Sequence, residues 1–347
     1  MKKTLLTTLF IIAACVAARG QKFVWNVNLE SQFDNREYNS PYNWSQTLFG
    51  VRGTPEIGLG WLDNAVKVGA TGIVEFGSRS FERRPEMVLY YNYNTDRFNI
   101  SGGIFPRNQT IGRYSTAFFS DSVRFYDPNI SGLLAQIYGR VGYFEFACDW
   151  DSRQTDTRRE KFTLFSAAEA RCGVMFAGYN FSMHHHAGTA TGGWVTDNVW
   201  LYPYLGVNLN SLVPMQELWI QAGWLLTAQN DRNFVGKYVT PGGAQIELTA
   251  QKWGLGVYNT TYIGKDLMPY YSSYGAGLYW GDSFYATRNG MYNRLELYWS
   301  PLRRRDMDLR VSSVHHYDGK TWSWQQMVTF GVFLDRKMFD RKGNFRQ

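Results

Sequence analysis

The stretch FVWNVNLESQFDN, from Phe23 to Asn35, decides the fold of this chain. Its apolar residues alternate with polar ones: Phe23, Trp25, Val27, Leu29 and Phe33 against Asn26, Asn28, Glu30, Gln32 and Asp34. Strict alternation predicts a β-strand with one apolar and one polar face. A soluble protein buries the apolar face of such a strand in its core, whereas a membrane barrel turns that face toward lipid. The choice between these two arrangements determines which functions are open to the protein.

The same alternation recurs in segments of about ten residues, the length that a tilted strand needs to cross a bilayer. We count sixteen such segments, centred near residues 28, 53, 71, 89, 101, 134, 146, 165, 178, 204, 221, 247, 258, 296, 311 and 328. Short links near residues 62–64, 94–96, 139–141, 171–173, 251–253 and 301–306 alternate with longer ones at 35–45, 107–127, 151–159, 184–198, 230–243 and 264–290. A regular alternation of short and long links is typical of outer-membrane barrels, which have short turns on one side and long loops on the other. The sequence therefore predicts an all-β fold, a transmembrane antiparallel β-barrel of about sixteen strands (fourteen to eighteen), with long extracellular loops and short periplasmic turns.

The two ends of the chain differ from the body. The opening MKKTLLTTLFIIAACVAARGQ predicts a secretory signal peptide over residues 1–20, followed by the barrel over 21–334 and a basic periplasmic tail over 335–347. A second processing route stays open, because the segment from Ile12 to Cys15 also fits a lipoprotein cleavage box. Most of the net charge of +7 lies in the signal and the tail, so the charge is weak evidence for a nucleic-acid partner.

The chain resembles the porin-type outer-membrane β-barrels of Gram-negative bacteria. The resemblance is most specific in GGIFPRNQTIGRYSTAFFSDSVRFYDPNISG, a long loop after the fifth strand, where sixteen-stranded porins carry the loop that folds into the channel. The phrases FDNREYN, FFSDSVRFYDPN, LMPYY and RVSSVHHYDG are also similar to uncharacterised barrels of Bacteroidota. The resemblance implies an integral outer-membrane protein that acts as a passive channel for small polar solutes, with saccharides as one class. The implied partners are outer-membrane lipid and either a homotrimer or an envelope complex, with no nucleic acid and no cofactor.

A barrel of this width has a lumen that its own side chains cannot fill, so water or a plug must occupy it. The charged residues on the polar strand faces are predicted to line this lumen: Glu30, Lys67, Glu75, Glu145, Glu247, Arg294, Glu296 and Arg310. The loop after the fifth strand is predicted to narrow it with Arg107, Arg113, Tyr114, Asp121, Arg124 and Asp127. Two interpretations of this loop stay open, a transverse field that selects solutes or fixed packing of the charges against one another. Two interpretations of the aromatic loop 264–290 also stay open, a carbohydrate contact or packing of the loop on itself.

The histidines lie at two strand-to-loop edges, in SMHHHAG and VHHYDG. Successive strand residues point to opposite faces, so only His184 and His186 of the first run could share one metal. Solvated or hydrogen-bonded loop histidines are the favoured interpretation, and no metal site is expected. Barrel enzymes use a histidine with serine and a carboxylate at the outer rim, and these residue types are supplied by Ser182, His184, Asp197, Ser312, His315 and Asp318. Because no spacing brings a nucleophile and a base into contact, we expect a protein that is not an enzyme. Two alternatives stay open, a loop-plugged barrel in an envelope complex and an outer-membrane lipid-modifying enzyme.

Overall fold

The computed structural model describes residues 20–78 and 82–335. Sixteen antiparallel strands form a closed barrel in which each strand pairs with its neighbours in sequence and the last closes on the first. The strands are β1 (Lys22–Glu37), β2 (Gln46–Trp61), β3 (Asn64–Glu75), β4 (Glu86–Asn94), β5 (Phe98–Pro106), β6 (Asn129–Gly139), β7 (Gly142–Ser152), β8 (Lys161–Cys172), β9 (Met175–His186), β10 (Thr196–Asn208), β11 (Glu217–Asp231), β12 (Gly242–Lys252), β13 (Leu255–Gly264), β14 (Met291–Arg303), β15 (Met307–Tyr317) and β16 (Trp322–Asp335).

The strand prediction is confirmed, because each of the sixteen expected centres falls inside one of these strands. Apart from Gly20 and Asp335, the predicted signal peptide and basic tail lie outside the described residues. Odd-numbered strands run toward the side that carries the long loops, which is the extracellular side of such barrels. Among the described residues, no helix is long and apolar enough to span a bilayer.

The apolar faces of the strands point outward. In β1, the side chain of Asp34 is fully buried while Leu29 is 42% exposed, and the alternation continues around the barrel. In a soluble protein the apolar side chains would be buried and the polar ones exposed. Hydrocarbon therefore covers the apolar face, and the polar face lines the interior.

Two extracellular loops fill part of that interior. The first, residues 107–128, contains helix α1 (Asp121–Tyr126), and the second, residues 265–290, contains the short helix α2 (Tyr271–Tyr274). We call these two loops together the plug. Their backbones bond each other, from Ser120 N to Trp280 O at 2.8 Å and from Asp282 N to Thr116 O at 2.8 Å. The aromatic side chains that suggested a sugar contact are largely packed inside the barrel, with Tyr285 completely buried.

Candidate functional site

The eight residues predicted to line the lumen all lie at positions whose side chains point into the barrel. Most of them form hydrogen bonds or ion pairs with other side chains. Glu145 accepts hydrogen bonds from Ile111 N at 2.6 Å and Tyr114 Oη at 2.9 Å, so it holds the plug. Glu247 accepts from Gln245 Nε2 at 2.7 Å and Tyr258 Oη at 3.1 Å. These inward carboxylates therefore bind neighbouring side chains and the plug backbone. Their contact with a passing solute stays a prediction.

The remaining lumen residues form ion pairs or lie at a strand end. Glu296 contacts Arg294 at 2.9 Å and Arg310 at 2.7 Å, and Lys67 lies 3.7 Å from Glu56. The other two members of the set are Glu30, which pairs with Arg52, and Glu75, which is exposed at the extracellular end of β3. Buried charges need such partners because their desolvation is costly.

The predicted constriction residues are paired as well. Arg107 bonds Asp127 at 2.7 Å and Asp149 at 2.8 Å, while Arg113 bonds Glu169 at 2.8 Å. The remaining residues of this set complete the network, with Asp121 on Arg294 at 3.0 Å and Arg124 donating to the carbonyl of Tyr114 at 2.9 Å. The geometry matches the fixed-packing interpretation of this loop, and a role in selecting solutes stays a prediction.

The second plug loop has its own buried carboxylate. Asp282 accepts from Phe284 N at 3.1 Å and from Tyr292 Oη at 3.0 Å. Burial raises the pKa of the Asp282 carboxyl above its ordinary value. The hydrogen bonds that it accepts partly offset this effect and fix the loop against β14.

One group of carboxylates has the spacing of a cation site. Oxygens of Asp127, Asp149 and Asp151 lie within 4.8 Å of one another. The guanidinium of Arg107 already bonds two of these three carboxylates and supplies the charge that a cation would bring. The group therefore carries no argument for a bound metal.

A buried arginine in this interior should be far more important for stability than an exposed one. Arg294→Met leaves Asp121 and Glu296 without a shared partner, and we expect it to lower the free energy of unfolding by ~3–5 kcal/mol. The control Arg303→Met removes a pair with Glu217 whose arginine is 57% exposed, and we expect a loss below ~1 kcal/mol. Urea unfolding in lipid vesicles measures both. Equal losses for the two variants would contradict the assignment.

The outer wall carries polar side chains where lipid should meet apolar ones. Near the extracellular ends of four adjacent strands, Ser313, Gln326, Asn35 and Thr47 stand directly opposite one another in register. We call these four residues the outer polar row. Thr47 Oγ1 donates to Asn35 Oδ1 at 2.7 Å, and Asn35 Nδ2 donates to Gln326 Oε1 at 3.2 Å. Polar groups on a lipid-facing surface are costly, so their clustering makes this row a candidate functional site.

Ser313 lies beside a histidine on the same outward face. Its Oγ is 3.1 Å from Nε2 of His315, within the range of a nucleophile and its general base. The His315 ring packs 5.3 Å from the ring of Trp322. None of the described residues bonds Nδ1 of His315. When Nδ1 carries the ring proton, Nε2 is free to accept the proton of the serine hydroxyl.

The position of the row across the membrane follows from its neighbours. Two residues closer to the periplasm, the same four strands present only apolar side chains: Val311, Val328, Phe33 and Phe49. The outer polar row therefore begins where the apolar band ends. Trp322 and Tyr317 lie beyond it, as interfacial aromatic residues do. The pair of Ser313 and His315 thus lies at the boundary between hydrocarbon and headgroups.

A second outward cluster lies on the other side of the barrel, on β9 and β10. His185 Nδ1 is 2.8 Å from Asp197 Oδ1, and Arg232 donates to Asp197 Oδ2 at 2.8 Å. The His185 ring stacks on Phe162 at 4.8 Å. This histidine has an orienting carboxylate, but among the described residues no hydroxyl is hydrogen-bonded to it.

The structure corrects the rim residues suggested by the sequence. Ser182, His184 and Ser312 point inward and are buried, and Ser312 donates to Glu296 at 2.8 Å. Asp318 binds its own turn through Thr321. The suggested His315 and Asp197 do lie on the outer face, but they contact Ser313 and His185. Each of these partners is one residue from the suggested Ser312 or His184, because a shift of one residue changes the face of a strand.

Comparison with solved structures supports the fold. The chain is similar to OprB of Pseudomonas putida, with a TM-score of 0.51 and 9% identity over 92% of this chain and 96% of that one. It is also similar to a loop-deletion mutant of OmpT, an outer membrane protein of Vibrio cholerae, with a TM-score of 0.53 and 8% identity over 90% and 99% of the two chains. The predicted resemblance to porin-type barrels is confirmed at the level of fold. The protein is an integral barrel of a Gram-negative outer membrane.

Comparison of the sequence adds a family. No curated protein matches the chain. Residues 17–338 match the family described as lipid A 3′-O-deacylase-type. This finding overturns the expectation that the protein is not an enzyme. The sequence supplied the residue types of a barrel enzyme, but their spacing alone did not show which serine and histidine are in contact.

Proposed function

Because the chain belongs to the lipid A 3′-O-deacylase-type family, we propose that it hydrolyses an acyl ester of lipid A at the outer wall of the barrel. Ser313 is the nucleophile and His315 the general base. The observation that carries the proposal is the 3.1 Å separation of Ser313 Oγ and His315 Nε2 on the lipid-facing surface. Neither residue needs the lumen for access to its substrate.

The depth of the site suits this substrate. The acyl esters of a glycolipid join a polar sugar to apolar chains, so they lie at the boundary between headgroups and hydrocarbon. The outer polar row borders an apolar row at that boundary, with Phe33 and Val328 below Asn35 and Gln326. A lipid lying against the wall can place its chains on the apolar row and its sugar against the polar one. This arrangement holds the ester near Ser313.

The reaction proceeds in two steps in which every proton has a destination. In the first, Ser313 Oγ attacks the ester carbonyl while its proton passes to His315 Nε2, and the sugar oxygen leaves with that proton. In the second, water attacks the acylated serine, giving one proton to His315. Collapse of this intermediate releases the fatty acid and returns the proton to Ser313. The sum is one ester and one water converted to one alcohol and one acid.

Mass spectrometry of lipid A tests the proposal. Producing the protein in a Gram-negative host that lacks such an activity should remove one ester-linked acyl chain from its lipid A. Cells that produce equal amounts of folded Ser313→Ala should keep the original mass. Unchanged lipid A in cells with the wild-type protein inserted in the outer membrane would contradict the proposal.

Passive diffusion of small polar solutes is the second candidate function. It is supported by the likeness to porin-type barrels and by the polar inward face of the strands. The plug opposes it, since Leu267 and Leu278 are fully buried inside the barrel. Liposome swelling with sugars of increasing size tests this candidate, and no swelling would exclude it. A homotrimer or an envelope-complex partner stays a prediction that crosslinking in whole cells can test.

A further inference from the structure

We propose that Arg124 binds the oxyanion group of a small solute inside the barrel, so that the interior takes up solutes carrying a phosphate or a carboxylate. Arg124 lies in the interior and Ser313 on the outer wall, so this binding does not depend on ester hydrolysis. Arg124 is a charge of the first plug loop that, among the described residues, no carboxylate contacts.

Arg124 lies at the depth of the membrane. It belongs to α1, and the carbonyls of Arg124 and Phe125 accept hydrogen bonds from Arg52 Nη1 at 2.9 and 2.6 Å. Arg52 is buried on β2, between Val51 and Gly53 of the lipid-facing side. Because α1 is held at this level, its side chains lie within the ring of strands.

The Arg124 side chain borders open space there. It is exposed, whereas Phe125 beside it is buried. Its Nη2 donates to the carbonyl of buried Tyr114 at 2.9 Å, and its Cζ lies 6.0 Å from the centre of the Phe119 ring. Nε and Nη1 of this guanidinium have no acceptor in the described part of the chain. Water inside the barrel can therefore reach these N–H groups.

The charge of Arg124 has no counter-charge in contact. The one carboxylate near it on α1, Asp121, bonds Arg294 at 3.0 Å. Desolvation by the surrounding protein and the charges of Arg294 and Arg107 lower the pKa of Arg124 from its ordinary value. A bound anion would supply the counter-charge that this position lacks. Six other arginines that point into the barrel each form an ion pair: Arg36, Arg52, Arg107, Arg113, Arg294 and Arg310.

Arg294 supplies a second donor. Asp121 and Arg124 are three residues apart on α1, so their side chains are neighbours on one face of the helix. Because Asp121 contacts Arg294, the two arginines lie close together. Nε of Arg294 is buried and has no hydrogen-bond partner among the described residues. Guanidinium groups with unused N–H groups match the oxygens of a carboxylate or a phosphate better than a spherical chloride ion.

Phenylglyoxal, which modifies accessible guanidinium groups, tests this binding on the unaltered protein. In folded protein in neutral-detergent micelles, peptide mass spectrometry should show modification of Arg124. Inorganic phosphate at about 100 mM should slow it ~5–10-fold relative to sodium chloride of equal ionic strength, as for a dissociation constant of ~10–25 mM. Sodium acetate should protect as well. Arg303, which is 57% exposed and paired with Glu217, should react at a rate that neither salt changes.

Two results of this experiment would overturn the proposal. An Arg124 that phenylglyoxal does not modify would show that small solutes do not reach it. Modification that neither phosphate nor acetate slows would show that Arg124 is accessible but binds no oxyanion.

Arg124→Gln separates the charge from the packing. Glutamine keeps an N–H for the carbonyl of Tyr114 and removes the guanidinium. In urea unfolding from lipid vesicles, phosphate should raise the midpoint of the wild type more than that of Arg124→Gln, because a bound anion stabilises only the folded state. Arg303→Gln should respond as the wild type does. Equal responses of the wild type and Arg124→Gln would overturn the proposal, whereas the proposed function is tested by a different readout, the release of an acyl chain from lipid A.

Discussion

Ser313→Ala should lower kcat for acyl release by at least ~10³-fold, the loss typical of removing a serine nucleophile. Alanine cannot form the acyl-enzyme, and no other described hydroxyl bonds His315 Nε2 in its place. The side chain is small and faces lipid, so the barrel should keep its stability and its heat-modified mobility on gels. Fatty acid released from purified lipid A is the quantity to measure.

His315→Asn should cause a loss of the same order, because the nucleophile then has no base. The matched control is His185→Asn, which removes the other outward-facing paired histidine, six strands away on β9. It should leave kcat within ~2-fold of the wild type, since a substitution six strands away is too distant to affect Ser313 and His315. The reverse outcome, with His185 essential and His315 dispensable, would move the active site to the cluster around Asp197.

Deleting the second plug loop should convert a barrel with little conductance into one with stable open steps. Residues 265–289 can be removed because Gly264 N donates to Gly290 O at 2.9 Å, so the two ends already meet. The deletion takes out the buried side chains of Leu267, Met268 and Tyr285. Water would then fill the space against the polar inward face. Planar-bilayer recordings should show a rise in mean conductance of roughly tenfold, because removing the loop widens the path open to ions.

A matched deletion distinguishes the plug from loops in general. Residues 233–237 form an exposed extracellular segment in which Phe234 is 78% exposed, and their removal should leave the conductance unchanged. Neither deletion removes the outward pair of Ser313 and His315, so acyl release should persist in both. A wild-type barrel that already conducts as strongly as the deletion variant would show that the plug does not close the lumen.

The strands could be predicted from the sequence because alternation is a local property. Phe23 to Asn35 shows its two faces without knowledge of any partner, and closure of the barrel adds only neighbouring pairs. The plug contacts could not be predicted in the same way. Arg113 finds Glu169, and Ser120 finds Trp280, across separations that no local pattern encodes. Their pairing depends on how the loops fold back into the barrel.

The contact between Ser313 and His315 could not be predicted from the residue types alone. In RVSSVHHYDG two serines precede two histidines, and the residue types alone do not say which of them share a face. The alternation along the strand shows which residues share a face. Val311 is exposed to lipid, and Ser313 and His315 follow it at steps of two. Ser312 has the opposite phase and bonds Glu296 inside the barrel. Extending the outward phase of Val311 to the end of the strand pairs Ser313 with His315.

Covalent labelling can show whether Ser313 is a lipid-facing nucleophile. The folded protein in micelles is treated with an alkyl fluorophosphonate, which phosphonylates activated serine hydroxyls, and the labelled peptide is identified by mass spectrometry. We expect modification of Ser313, loss of acyl release in proportion to labelling, and no labelling of Ser313 in His315→Asn. Inactivation by the probe with Ser313 unmodified, or full acyl release from protein completely labelled at Ser313, would contradict it.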